Sequence, residues 1–251
     1  SPAPKTGRLA VESGAKSDMV CAGELGAALR GTPRRPSYAG VTPAKGSNSP
    51  AHPTENAMTT THLLYLHGFR SSPQSAKARR MAAYVAQHHP AVHWWCPQLP
   101  PSPRAAMDLV AQGIATWPRA TMAVVGSSLG GFYASWVARH TGCPSVLLNP
   151  AVHPARDLAR HIGEQTAWHD PAERFFFLPE YIAELQALSA EHTLPVGREM
   201  AIIAKGDEVL DWQEMVARYP AAQQTLLEGG DHALSDFEDH LPAVAQFLQL
   251  A

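Results

Sequence analysis

Cysteine is scarce in this chain of 251 residues: Cys21, Cys96 and Cys143 are odd in number, widely spaced, and form no Cys-x-x-Cys pair. No pair is therefore available to hold zinc or run dithiol redox chemistry, and a reducing compartment fits best. An excess of charge of one sign is also missing. Lys and Arg number 20 against 22 Asp and Glu, a net charge of -2, so no global positive field draws phosphate backbones or anionic membranes. Long apolar runs are absent too. The stretch most like a secretion signal, Met19 to Leu29, is broken by Glu24, and nothing approaches the roughly 18 apolar residues that spanning a bilayer requires. Together these absences predict a soluble, cytoplasmic protein with no nucleic-acid partner. Thirteen histidines invite a metal, yet there is no His-Glu-x-x-His, and His88-His89, His153, His161 and His169 do not share one helical face with a carboxylate pair. No metal and no cofactor are expected, and there is no internal repeat.

What is present is one domain's worth of apolar sequence behind an unusual leader. Residues 1–57 hold seven Pro, seven Gly and Tyr38 as their only aromatic residue, with neither a helical nor a strand period. Such a segment buries too little apolar surface to offset its ordering entropy and is expected to be disordered. It carries a net charge of +3, leaving -5 for residues 58–251. The composition breaks at Met58. Residues 1–57 read as an extension ahead of a natural start there, with a regulatory or targeting tail as the alternative. From Thr61 onward, short apolar runs alternate with amphipathic stretches, the pattern of βαβ units and a mostly parallel sheet. Six strands are predicted: His62–Leu66, Val92–Cys96, Met122–Gly126, Ser145–Asn149, Met200–Ala204 and Gln224–Glu228. Ser72-Pro73 and Ser102-Pro103 each supply a helix N-cap with proline at the first helical position, and Pro242 is expected to open the last helix. Trp94-Trp95 alternates along a strand and reads as core packing.

Gly126-Ser127-Ser128-Leu129-Gly130 follows an apolar strand and precedes a run, Phe132 to His140, compatible with a helix. This is the strand–turn–helix context of the G-x-S-x-G nucleophile elbow, in which the central serine is forced into a strained backbone and a Cβ at either glycine would collide with a neighbour. Ser128, between the glycines, is the candidate nucleophile, and the Leu129 N–H points at a developing oxyanion. A bare glycine-serine turn is the simpler reading of the motif by itself. His67-Gly68-Phe69 ends the first strand, where the Phe69 N–H can supply the second oxyanion donor and Gly68 lets the backbone approach the substrate. His67 precedes the serine in the chain, whereas the acid and base of this fold follow it, so His67 reads as a hydrogen-bonded structural residue that shapes the loop. Beyond the fifth strand, Asp207 is the candidate acid and Asp211 the rival, the latter equally readable as the N-cap of a helix at Trp212. His232, on the turn after the last strand, is the candidate base; Asp231 reads as fixing that turn.

Beyond this reading, HGFRSSPQSAKA, PQLPP, VGSSLGGFYA, NPAV, GDEVLD and EGGDHA resemble the YqiA-like esterases (the YqiA/YcfP group) of the α/β-hydrolase superfamily, over about residues 61–250. The resemblance implies a compact α/β-hydrolase fold lacking the usual first strands, with a short helical cap inserted at about 151–197. It also implies activity on carboxylic esters and acyl-CoA thioesters, with Ser128 as nucleophile, Asp207 as acid and His232 as base. The tail 1–57 is unmatched and 153–195 matches only loosely. Trp168, Phe175, Phe176, Phe177 and Tyr181 fall in that insertion, as packing within the cap or as a wall for an acyl chain. The expected activity is a small-molecule ester or thioester hydrolase. An amide or peptide hydrolase with the same triad, or a binding protein on this scaffold, is the alternative.

Overall fold

The structure is a computed structural model that describes residues 59–168, 170, 172–191 and 197–251. The leader 1–57 and the expected start at Met58 lie outside the described residues. In chain order the elements are β1 (His62–Leu66), α1 (Ala76–His88), β2 (His93–Trp95), α2 (Pro103–Gly113), β3 (Met122–Ser127), α3 (Leu129–Thr141) and β4 (Ser145–Leu148). Then come α4 (Pro154–Leu158), β5 (Gly163–Thr166), β6 (Arg174–Phe177), α5 (Glu180–Ala190), β7 (Glu199–Ala204), α6 (Trp212–Arg218), β8 (Gln223–Leu227) and α7 (Phe237–Leu248).

Six strands form one sheet in the order β2-β1-β3-β4-β7-β8, and every pairing in it is parallel. Central strands of such a sheet are covered on both faces, which explains why β3 and β7 are buried along their whole length. Alternate residues divide between the two cores. Leu64, Leu66, Val124, Leu147, Ala201 and Ile203 pack against α2, α3, α5 and α6. Leu63, Tyr65, Val125, Val146, Leu148 and Ile202 pack against α1 and α7 on the opposite face. The period of two in each strand thus builds a three-layered αβα sandwich.

The sequence-predicted strands lie within a residue or so of those observed, but two helix starts move. Helix α1 is capped by Ser75, whose Oγ accepts from Ala78 N–H at 3.4 Å, and not by Ser72. Ser72 instead closes the preceding turn, accepting from Gln74 N–H at 3.1 Å. Helix α7 begins five residues before Pro242, at Phe237. A proline within a helix costs about 3 kcal/mol. Burial of Phe237 and Leu241, 0% and 4% exposed, is of the same size and draws the chain into the helix earlier. The insertion between β4 and β7 holds, beside the expected helices α4 and α5, an antiparallel ribbon of β5 and β6. Among the described residues no helix is long and apolar enough to cross a membrane.

Candidate active site

Ser128 sits between β3 and α3 with φ of 58° and ψ of -121°, a conformation that a non-glycine residue adopts only under external constraint. The constraint is steric. A Cβ on Gly126 would come within 2.0 Å of the Gly130 carbonyl oxygen, and one on Gly130 within 2.0 Å of the Leu66 carbonyl oxygen. Only glycine at both positions lets the turn close this tightly against β1. The Ser128 N–H is held by the Leu148 carbonyl at 3.0 Å, which locks the turn to β4 as well. The side chain is thereby presented at the carboxyl ends of the parallel strands, where ligand crevices of open α/β sheets form.

His232 Nε2 lies 3.0 Å from Ser128 Oγ, and His232 Nδ1 lies 2.8 Å from Asp207 Oδ2. The Asp207 carboxylate is fully buried, and its other oxygen accepts from the Val209 and Leu210 N–H groups, each at 2.8 Å. An acceptor saturated by these donors puts the histidine proton on Nδ1 and leaves the Nε2 lone pair for the Ser128 hydroxyl. Asp211, the rival acid, caps α6 by accepting from Gln213 N–H at 2.8 Å. Asp231 accepts from both the N–H and the hydroxyl of Ser235, at 2.9 and 2.6 Å. Those bonds lower its carboxyl pKa and fix the turn that carries His232.

His67 is 4% exposed, and its Nε2 accepts from Leu99 N–H at 3.0 Å. Nδ1 therefore bears the proton and donates to the Gly68 carbonyl, also at 3.0 Å. The ring staples the loop after β1 and keeps Gly68 against the serine: a Cβ on Gly68 would be 3.2 Å from Ser128 Cβ. Phe69 follows on this loop, while Leu129 opens α3, where first-turn N–H groups have no intrahelical acceptor. Phe69 and Leu129 share with Ser128 and His232 the lining of a cavity of about 380 Å³.

Four aromatics of the insertion are open to two readings, packing within the cap or a wall for an acyl chain, and they occupy different surroundings in the structure. Trp168 is 70% exposed and lines the 380 Å³ cavity, with the Arg70 guanidinium 4.2 Å from its ring centroid. Phe175 lines a neighbouring cavity and meets Phe69 edge-on at 6.0 Å. Phe177 is buried beneath Phe69, with centroids 5.2 Å apart, and packs in the core; Phe176, between them on β6, is 62% exposed and lines neither of these cavities. Strand alternation, which places neighbours on opposite faces, makes this division.

Three residues that hold the site fall within HGFRSSPQSAKA, NPAV and GDEVLD, but nothing in those motifs assigns them a role. Asn149 is fully buried with φ of 41°; its Oδ1 accepts from Ala204 N–H at 2.8 Å, and its Nδ2 donates to the Asp231 and His232 carbonyls at 3.0 and 3.3 Å. Glu208 accepts from His232 N–H at 3.0 Å, and Lys77 Nζ donates to the His232 carbonyl at 3.2 Å. Burial pulls the Lys77 ammonium down to about 8, against the upward pull of Asp231 and Asp207. Backbone N–H, carbonyl and Nδ1 of His232 are thus all tied down, and only Nε2 faces the cleft. The one sequence signal for this clamp is Asn149-Pro150 at a strand end, since an asparagine tolerates positive φ better than other side chains. Among the described residues, no three His, Cys, Asp or Glu side chains are grouped so as to hold a metal ion.

The model of the Uncharacterised protein family UPF0227, the YqiA family, matches residues 62–249. The chain belongs to this family. Solved structures similar to this UPF0227 chain include a protein of Agrobacterium vitis S4 whose assignment as a hydrolase is provisional, with 16% identity, TM-score 0.62, and coverage of 76% of this chain and 90% of that one. One of the metagenome-derived lipolytic enzymes LipS and LipT is 17% identical, with TM-score 0.59 and coverage of 77% and 95%. Est1E of Butyrivibrio proteoclasticus is 15% identical, with TM-score 0.56 and coverage of 78% and 88%. The UPF0227 chain has the α/β-hydrolase fold.

Proposed function

We propose that this protein is a serine hydrolase of carboxylic esters and thioesters, with Ser128 as nucleophile, His232 as general base and acid, and Asp207 as the acid that orients the imidazole. The observation that carries the reading is the unbroken chain from Ser128 Oγ through the His232 ring to the buried Asp207, at 3.0 and 2.8 Å. Similarity to a metagenome-derived lipolytic enzyme supports the same class.

Ser128 Oγ attacks the acyl carbon as its proton passes to His232 Nε2. The carbonyl oxygen takes up negative charge facing the N–H groups of Phe69 and Leu129, which need no reorganisation to receive it. Collapse breaks the bond to the leaving oxygen or sulfur, which departs with the proton from Nε2. Water then adds to the acyl-serine, giving its proton to Nε2, and Ser128 leaves with that proton as the carboxylic acid is released. Asp207 stabilises the imidazolium formed in each half and remains ionised. The free thiols of Cys96 and Cys143 support assignment to the cytoplasm.

Matched 4-nitrophenyl esters, acyl-CoA thioesters and 4-nitroanilides, assayed with wild type and Ser128→Ala, test the proposal alongside labelling by a fluorophosphonate. Ester or thioester turnover and labelling, both lost in Ser128→Ala, are expected. Preference for the anilides would make the protein an amidase, and a folded sample that resists the probe would make it a binding protein.

A further inference from the structure

Arg70 has φ of 60°, a left-handed backbone that strains an L-residue and that glycine adopts freely. It is the third residue of a turn closed by the Ser71 N–H, which donates to the Gly68 carbonyl at 3.2 Å. Within residues 68–71 only Arg70 has positive φ. That is the pattern of a type II turn, whose third residue is ordinarily glycine. An arginine held there against its backbone preference points to a role for the side chain.

The side chain reaches the ribbon. Arg70 Nε donates to the Thr166 carbonyl at 2.6 Å, and the Trp168 N–H donates to the Arg70 carbonyl at 2.7 Å. The guanidinium also lies 4.2 Å from the Trp168 ring centroid. Between these residues the Ala167 N–H turns the other way and donates to the Glu173 carbonyl at 3.0 Å. The Thr166 carbonyl and the Trp168 N–H therefore lie along one edge of an extended segment, where a neighbouring strand would answer both from its backbone. Here the Arg70 carbonyl answers one, and Nε stands in for a backbone N–H at the other. Glycine would suit the turn and remove the donor to Thr166.

This tie bears on the N–H of Phe69. That N–H shares a peptide group with the Gly68 carbonyl, and a trans peptide points the two in opposite directions. The carbonyl is held by His67 Nδ1 and the Ser71 N–H, at 3.0 and 3.2 Å. On the other side the Phe69 ring meets Phe175 and Phe177 of β6, and the next residue, Arg70, is bonded to the end of β5. The peptide is thus fixed from the sheet through His67 and from the insertion through Arg70. We propose that Arg70 is a positioning residue: by tying the turn to the ribbon of β5 and β6, it holds the Phe69 N–H where the oxyanion forms. The insertion is then part of the oxyanion hole as well as a cover. The inference rests on the serine-hydrolase reading above.

Two substitutions isolate the donor. Glutamine carries Nε2 as many bonds from Cα as arginine carries Nε, and so keeps an N–H for the Thr166 carbonyl; methionine is as long and has none. Both are uncharged and meet the same backbone strain, so their difference reports the tie. With a 4-nitrophenyl ester, Arg70→Met is expected to lower kcat about 10- to 100-fold and to leave KM within about twofold. Inhibition by a trifluoromethyl ketone should weaken by a similar factor. In that adduct Ser128 Oγ bonds to the carbonyl carbon, its proton passes to His232 Nε2, and the ketone oxygen becomes an oxyanion with no leaving group. Arg70→Gln should restore kcat and inhibition to within about threefold of wild type, since the donor stays in place. If Arg70→Met does not fold, Arg70→Gly, which relieves the turn, replaces it in the comparison with Arg70→Gln. Wild-type kcat with a lowered melting temperature in Arg70→Met makes the tie a cap on the ribbon edge and overturns the proposal. Equal losses in Arg70→Met and Arg70→Gln assign the effect to the guanidinium charge and overturn it too. Both results leave Ser128-dependent turnover standing, whereas turnover that survives Ser128→Ala overturns the reading on which the proposal rests.

Discussion

The side-chain amide of Asn149 donates to the backbone carbonyl of His232 at 3.3 Å, from a residue 83 positions earlier in the chain. The end of β4 thus governs where the proposed base stands. Asn149→Asp keeps the acceptor for Ala204 N–H but turns a carboxylate oxygen toward the carbonyls of Asp231 and His232. The expected cost is about 2–3 kcal/mol in urea denaturation. Displacement of the imidazole should lower kcat on the order of 10²-fold with little change in KM. Wild-type kcat and urea midpoint in this variant would show that the clamp is dispensable.

Removing the reacting groups should cost far more. Ser128→Ala or His232→Ala is expected to lower kcat by about 10⁶ where chemistry limits, and Asp207→Asn by about 10⁴. Asp211→Ala is the control for the acid, since its carboxylate only caps α6. It should lose about 1 kcal/mol of stability and keep its activity. Equal damage from Asp207→Asn and Asp211→Ala in folded protein would remove Asp207 from its role.

Two glycines near the site should respond differently to the same methyl group. Gly130→Ala brings a Cβ to 2.0 Å from the Leu66 carbonyl oxygen, a contact that neither β1 nor α3 can relieve without opening the elbow. Loss of about 3 kcal/mol or more is expected. Gly229→Ala meets nothing within 4 Å and should change the thermal midpoint little. Comparable melting of the two variants would mean that the elbow is looser than its geometry requires.

Burial pushes the Cys96 thiol up to about 12 and the Cys143 thiol up to about 11, the latter against downward pulls from the Thr141 hydroxyl, a backbone hydrogen bond and Arg119. Both should resist iodoacetamide at pH 8 in the folded protein and react once it is unfolded, as read by peptide mass mapping. A thiol raised on folding contributes stability that is complete below its unfolded value of 9.0 and is lost as pH climbs toward the folded one. Denaturant midpoints should accordingly fall between about pH 9 and pH 11, and less so in Cys143→Ala relative to its own value at pH 7. A midpoint flat over that range would contradict the burial of Cys143 and the partial burial of Cys96.

Much of the fold and the proposed triad were legible because their signals are local. Short continuous apolar runs mark β1, β3, β4 and β7, as strands covered on both faces require, and Gly126-Ser127-Ser128-Leu129-Gly130 carries its own steric requirement. Candidate acid and base each sit just past a strand end, so strand order alone aligned them with the serine. Helix starts were less legible. Ser72-Pro73 has the chemistry of a cap, yet Ser75 serves, because the loop after β1 must first turn back along Ser127 and Ser128. Pro242 has the chemistry of a helix opener, yet the buried Phe237 begins α7.

By itself, the sequence determined the layered architecture and which serine lies in the elbow, since both follow from spacing within a few residues. Tertiary structure alone decided what restrains His232, because Lys77, Asn149 and Glu208 come from three distant segments and converge only once the sheet is assembled. It also decided which of three consecutive phenylalanines reaches a cavity. Alternation separates Phe176 from its neighbours, but packing against Phe69 and the pairing of β6 with β5 determine which face of the ribbon turns inward.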